Sequence, residues 1–147
     1  MDELSSALKV TLGNTFVMYY QAQSYHWNVE GIHFSQYHEF FGDLYEEVYG
    51  AVDPIAEKIR MLNVYAPISL TQLYRYSTIE EDAVMPTDIS SKLQGLLSTN
   101  AIVLQSLYTT RNIAMKENQQ GVANFIIDRI EAHDKHRWTL TSSLKGL

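Results

Sequence analysis

Four stretches of this chain repeat their apolar residues every three or four positions, and each runs too long to be anything but a helix. From Leu4 to about Asn28, Leu8, Leu12, Thr15, Tyr19, Ala22 and His26 form one stripe, widened by Phe16, Tyr20 and Trp27. Gly13 interrupts it, at an expected cost of about 1 kcal/mol relative to alanine. Gly31, within NVEGIHFS, is the natural stop. A second run, from about Phe34 to Leu62, carries Tyr37, Phe41, Leu44, Val48, Val52, Ile55 and Ile59. Pro54 inside it removes one backbone donor and frees the Gly50 carbonyl, which predicts a bend rather than a stop. The third run begins near Asp88, with Thr87 as the expected N-cap. It holds Ile89, Leu93, Leu96, Val103, Leu104 and Leu107 and fades near Lys116. ENQQG makes a turn, and a fourth run follows with Phe125, Ile126, Ile130, His133, Leu140 and Leu144. Between the second and third runs, Asn63 to Pro86 is irregular, with SLTQLYRY as a candidate short helix. No strand pattern, internal repeat or low-complexity tract is present. The fold class is therefore all-α, a four-helix bundle whose long middle crossover carries a short extra helix. Residues 1–147 are expected to form one domain.

Composition narrows what such a bundle does. Apolar residues make up 46% and charged residues 19% of the chain, below the usual quarter for charge, so part of the surface is expected to be hidden in subunit contacts. The net charge of −6 argues against polyanions as the main partner and suits attraction of cations. The absence of cysteine excludes disulfides, thiolate metal sites and cysteine nucleophiles, and is compatible with a reducing cytoplasm. MDELSSALK lacks the character of a signal peptide. No apolar run reaches the ~18 residues needed to span a bilayer. A soluble, cytoplasmic protein without membrane contact is expected.

Four residues stand out between the first two runs: His26 in HWNVEG, His38 in HEFF, and Asp53 and Glu57 in DPIAE. Imidazole nitrogens plus carboxylate oxygens suit iron and zinc. Asp53 and Glu57 share a helix face at i,i+4. A hairpin at Gly31 puts His26 about 7 Å before the turn and His38 about 10 Å after it, so the two rings can meet. His38 and Asp53, however, are about 22 Å apart on a continuous helix, too far for one ion. The chain thus holds two half-sites. A two-fold partner laid antiparallel would bring the histidines of one subunit to the carboxylates of the other and create two equal sites per dimer. Taken singly, each histidine reads as an ordinary core or interface residue, and the Asp–Glu pair as an exposed surface pair. His33, His133 and His136 read as structural or surface residues, the aromatics between Tyr19 and Tyr49 chiefly as packing, and Glu80, Glu81 and Asp82 as a solvated loop.

A conventional di-iron bundle carries Glu-x-x-His motifs on two helices that face one interior. The one such spacing here, Glu30 to His33, falls in the turn. The motifs that are present are YHWNVEG, His38 twelve residues after His26, DPIAEKIR with Asp53 fifteen after His38, YAPISL and HDKHRW. Together they resemble the Dps-like mini-ferritins, the family of DNA-binding proteins from starved cells within the ferritin-like superfamily, over nearly the whole chain. The resemblance implies a ferritin-like four-helix bundle that assembles, through two-fold dimers, into a hollow dodecamer. It implies inter-subunit ferroxidase ligands at His26, His38, Asp53 and Glu57. Fe(II) and hydrogen peroxide would be the substrates, the ferric product would be stored inside, and zinc would be a competing ion. Trp27 and nearby tyrosines become candidate radical sinks. Gly42 stands where the family commonly carries an acidic residue, which makes Asp43, one position on, a candidate neighbour of the site. Gln119 and Asn124 stand where acidic residues often line the family's three-fold pore. Members that bind DNA generally do so through a basic terminal tail. Here there is only Lys9 near one end and Lys145 at the other, so DNA binding is expected to be weak or absent. The alternative is a nucleoid-protecting DNA-binding assembly with secondary ferroxidase activity. A third reading is an inactive scaffold whose site is vestigial or filled by zinc.

Overall fold

The computed structural model describes residues 2–147 as six helices: α1 (Glu3–Asn28), α2 (Phe34–Tyr49), α3 (Val52–Met61), α4 (Leu70–Tyr76), α5 (Ile89–Lys116) and α6 (Gln120–Leu144). There is no strand among the described residues. The bundle is built around α1, which touches α2, α3, α4 and α5, while α5 packs along α6. Because it has neighbours on so many sides, α1 buries more than an apolar stripe. Leu4, Leu8, Leu12, Met18 and Ala22 enter the core, and Thr11, Asn14 and Thr15 are buried as well.

Thr11 and Asn14 are paired, as burial demands. Thr11 and Thr110 hydroxyls lie 2.8 Å apart. The Asn14 side-chain carbonyl accepts from the Thr78 amide at 2.7 Å and the Ser77 hydroxyl at 2.9 Å. Asn14 therefore clamps the chain directly after α4 onto α1. Gly13, beside it, corrects an expectation. A Cβ there would lie 2.8 Å from the Leu73 carbonyl oxygen and 2.9 Å from the Ser77 amide nitrogen. The glycine is not merely a weak point of the helix; it is what lets the backbone of α4 lie directly on α1.

The turns follow local chemistry. Gly31 takes φ +111° between α1 and α2, a conformation that favours glycine. The expected single bent second helix is instead two helices, α2 and α3, interrupted at Gly50 and Ala51. Both residues keep right-handed helical dihedrals. Pro54 has no N–H to offer the Gly50 carbonyl, and the Ala51 amide turns to Val48 O at 3.1 Å, one residue tighter than an α-helical bond. The perturbation falls at Gly50, the carbonyl the proline was expected to free, but it divides the helix rather than bending it. The N-cap of α5 is Asp88, not Thr87: its carboxylate accepts from the Ser91 amide at 2.6 Å. At the other end of α5, Asn118 adopts φ +58°, and the Gln119 amide reaches back to Ala114 O at 2.8 Å, closing the helix as a Schellman turn. Among the described residues no helix is long and apolar enough to cross a membrane.

Candidate metal centre

The Gly31 hairpin folds α2 back along the last turns of α1 and brings His26 and His38 into ring-to-ring contact, with centroids 3.8 Å apart and planes 16° from parallel. His26 Nδ1 lies 2.6 Å from the His38 carbonyl oxygen, and His38 Nδ1 lies 2.7 Å from the His26 carbonyl oxygen. A carbonyl can only accept, so each Nδ1 carries a proton, and in the neutral imidazole the lone pair is the one on Nε2. One reciprocal pair of bonds thus fixes the tautomer and orientation of both rings, as a metal-ligating imidazole requires. Gly42 makes room for this. A Cβ at that position would sit 3.0 Å from His26 Nδ1 and 3.1 Å from its Cε1. Phe34 stacks on His38 at 4.9 Å, and Tyr45 lies 5.3 Å from His26.

Asp53 and Glu57 occupy the exposed side of α3, whose buried residues are Ile55 and Ile59. Neither carboxylate has a hydrogen bond or ion pair among the described residues. The chain therefore brings His26 to His38 and leaves Asp53 and Glu57 as a separate pair. No group of three or more histidines, aspartates and glutamates that could hold a metal ion exists among its described residues. Two further candidates, Asp43 and Trp27, make no contact with the histidine pair on this chain. Asp43, one residue and about 100° of helical rotation beyond Gly42, lines a cleft between α2 and α6 with Phe40, Glu47, Lys135 and His136. Trp27 is 56% exposed, and its ring meets Tyr20 at 6.0 Å rather than either histidine.

The sequence reading did not single out Glu47 and Arg129, which hold a polar network where α2, α5 and α6 meet. Arg129 donates through Nη1 to one Glu47 oxygen at 2.5 Å and through Nη2 to the other at 3.0 Å. His136 Nε2 donates to Glu47 at 2.6 Å. Arg129 Nη2 also lies 3.2 Å from His133 Nε2, and His133 Nδ1 lies 2.8 Å from Asn100 Oδ1. The Asn100 amide donates in turn to the His133 carbonyl at 3.0 Å. Because Asn100 Oδ1 only accepts, His133 carries its proton on Nδ1 and receives from Arg129 at Nε2. Burial, then the Arg129 and His136 charges, push the His133 imidazolium well below its ordinary pKa, so the ring is neutral. Burial raises the Glu47 carboxyl, but the bonds from His136 and Arg129 outweigh it and hold the pKa far below the usual carboxylate range. Apart from Arg129 Nε, which is buried without a hydrogen-bond partner among the described residues, the groups named here bond to one another. His133 and His136 are structural, as expected. The signal for Arg129 was its place one turn before His133 on α6; Glu47 gave none, since its partners lie some 80 residues away.

Residues 5–147 match the family model of the ferritin-like domain. The DNA protection during starvation protein of Brevibacillus brevis is 27% identical over 135 residues, 91% of this chain and 89% of that protein. The Dps protein from Vibrio cholerae O1, described as a member of a broad superfamily of ferritin-like diiron-carboxylate proteins, has a TM-score of 0.92 at 28% identity, with 97% of this chain and 89% of that one covered. Dps from Thermosynechococcus elongatus reaches a TM-score of 0.94 at 23% identity over 99% of this chain and 92% of its own, a likeness of fold. The chain belongs to the ferritin-like domain family. Within it, the chain is a Dps-like mini-ferritin, in agreement with the motifs YHWNVEG and DPIAEKIR.

Proposed function

We propose that two copies of this chain pair about a two-fold axis so that His26 and His38 of one protomer face Asp53 and Glu57 of the partner subunit, and that each such site binds Fe(II) and oxidises it with hydrogen peroxide. The ferric product is stored in a hollow dodecameric cage built from these dimers, in the cytoplasm. The observation that carries the reading is the pair of complementary halves. Two imidazoles are locked with free Nε2 lone pairs, and two carboxylates stand without partners on the same chain beyond their reach.

The division of labour follows from the ligand chemistry. The two carboxylates neutralise the dipositive ion and favour the ferric state, while the imidazoles set its position without adding charge. The carbonyl bonds to Nδ1 keep both rings from turning away when the site is empty of iron, so little ordering is left to the moment of binding. Two ferrous ions together give peroxide the two electrons it needs to become water, which avoids release of hydroxyl radical. Zinc, with the same taste for nitrogen and oxygen donors and no redox chemistry, competes for the site and blocks turnover.

The test is ferrous oxidation by peroxide and by oxygen on the size-fractionated assembly, comparing the native chain with His38→Ala. The expected result is an assembly of unchanged size with oxidation slowed on the order of 10–100-fold, the scale set by loss of a well-oriented ligand shell. Equal rates would overturn the proposal.

A further inference from the structure

Nothing covalent holds the plane of a ligating imidazole. Rotation about its Cβ–Cγ bond is broad and roughly two-fold, while the Nε2 lone pair lies in the ring plane, so a ring that tilts aims it away from an ion. The neighbours of each ring must therefore supply its orientation. For His38 they do so on three sides. Its Nδ1 donates to the His26 carbonyl at 2.7 Å. One face lies on His26 at 3.8 Å and 16° from parallel, and the opposite face lies on Phe34 at 4.9 Å and 22°. Phe34 is the first residue of α2, one turn ahead of His38 and on the same side of the helix. Its amide donates to the Gly31 carbonyl at 3.0 Å, so the hairpin that brings the two histidines together also sets the third ring.

Core packing does not account for Phe34. The next aromatics of α2, Tyr37, Phe40 and Phe41, pack on one another and belong to the core or lie against it. Phe34 is 41% exposed, stands outside that cluster, and among the described residues has His38 as its one ring contact. We infer that Phe34 is a positioning residue for His38: its ring is the outer wall of a slot, closed on the inner side by His26, that keeps the His38 plane aimed for metal binding. This rests on the iron-oxidising reading above. Without Phe34, His38 would keep the bond at its edge and the contact with His26, but one face would be open and the ring free to tilt outward. His26 is confined differently, by Tyr45 at 5.3 Å and by the close approach of Gly42. His38 is thus the ligand whose aim a single exposed side chain controls. The part of a ring-on-ring contact that depends on flat faces rather than on bulk corresponds to roughly twofold to tenfold in affinity.

The experiment titrates zinc, a redox-silent probe of the same donors, into the metal-free, size-fractionated assembly against a chromophoric chelator. The native chain is compared with Phe34→Leu and Phe34→Tyr. Leucine keeps an apolar side chain without a flat face; tyrosine keeps the face. Phe34→Leu is expected to bind zinc roughly twofold to tenfold more weakly with the same number of sites per subunit, and Phe34→Tyr to match the native protein. In ferrous oxidation by peroxide, Phe34→Leu should need a correspondingly higher Fe(II) concentration for half-maximal rate, while the limiting rate stays within about twofold of native. A merely structural role moves the other quantity: misfolded or unassembled subunits lower the number of sites and the limiting rate and leave the affinity of the remaining sites as it was. Native affinity in Phe34→Leu, an equal loss in Phe34→Tyr, or a loss of sites at unchanged affinity would overturn the role of Phe34 and leave the histidine site standing. Zinc binding that is the same in the native and His26→Ala/His38→Ala assemblies would overturn both.

Discussion

Gly42→Ala separates what the fold needs from what the site needs. An alanine in the interior of α2 gains about 1 kcal/mol over glycine from helix propensity. Its Cβ, however, would lie 3.0 Å from His26 Nδ1, so the ring must retreat by a few tenths of an ångström, and its 2.6 Å bond to the His38 carbonyl is the contact that suffers. Losing a hydrogen bond of that kind removes about 1 kcal/mol. The two effects nearly cancel, and the melting temperature should move by less than about 2 °C, given about 2–4 °C per kcal/mol for a chain of this size. The site has no such offset. With its orienting bond weakened, His26 should bind ferrous iron roughly tenfold less well, at the mild end of the range for losing an outer hydrogen bond to a metal ligand. Gly50→Ala is the matched control, since its Cβ would meet nothing nearer than the Glu46 carbonyl at 3.4 Å. Calorimetry together with stopped-flow ferrous oxidation measures both quantities. An unaltered rate in Gly42→Ala, or a loss of stability above about 2 kcal/mol, would refute the reasoning.

Gly13→Ala should destabilise the chain by about 1–2 kcal/mol, because overpacking against the Leu73 and Ser77 backbone exceeds the propensity gain. Gly121→Ala, with open space around the added methyl, should stabilise it by up to about 1 kcal/mol; chemical denaturation distinguishes the two. Arg129→Met removes both bonds to Glu47. The loss should be about 2–3 kcal/mol, less than for a fully buried pair because the Glu47 side chain is 39% exposed and can rehydrate, and adding Glu47→Met should recover part of it. Acid should also destabilise the fold. The unfolded chain protonates His133 below about pH 6.5 while the folded chain does not, so the unfolded state binds more protons and stability falls as pH drops, by up to about 1.4 kcal/mol per unit. Glu47, depressed in the folded state, adds to the loss below about pH 4.5, where the unfolded carboxyl takes up its proton. Melting curves between pH 7 and pH 5 should be steeper in pH for the native chain than for His133→Gln; equal slopes would count against a neutral buried His133.

Much of this was legible because helical periodicity and ligand spacing are local. The stripe from Leu8 to His26 gave α1, and the hairpin at Gly31 put His26 within reach of His38 without any knowledge of distant contacts. What escaped were the terms set across the bundle. Gly13 looked like a flaw until α4 was seen lying on it. Glu47 carried no signal in the sequence, and its role appeared only when α6 brought Arg129 and His136 to it. Asp43 is next to Gly42 in sequence, but one step along a helix turns a side chain by about 100°, and it lines the cleft against α6. Pro54 pointed to the right carbonyl, that of Gly50, but to a bend in one helix where the chain instead divides into α2 and α3.

The most direct test of an inter-subunit site mixes two inactive chains. His26→Ala/His38→Ala subunits lack one half and Asp53→Ala/Glu57→Ala subunits lack the other; each homogeneous assembly should be inactive. Co-assembled at equal amounts, half of the two-fold pairs are mixed, and each mixed pair holds one intact site and one doubly broken site. Ferrous oxidation should return to about one quarter of the native rate per subunit. No activity in verified mixed assemblies, or retained activity in either parent alone, would contradict a site shared between two chains.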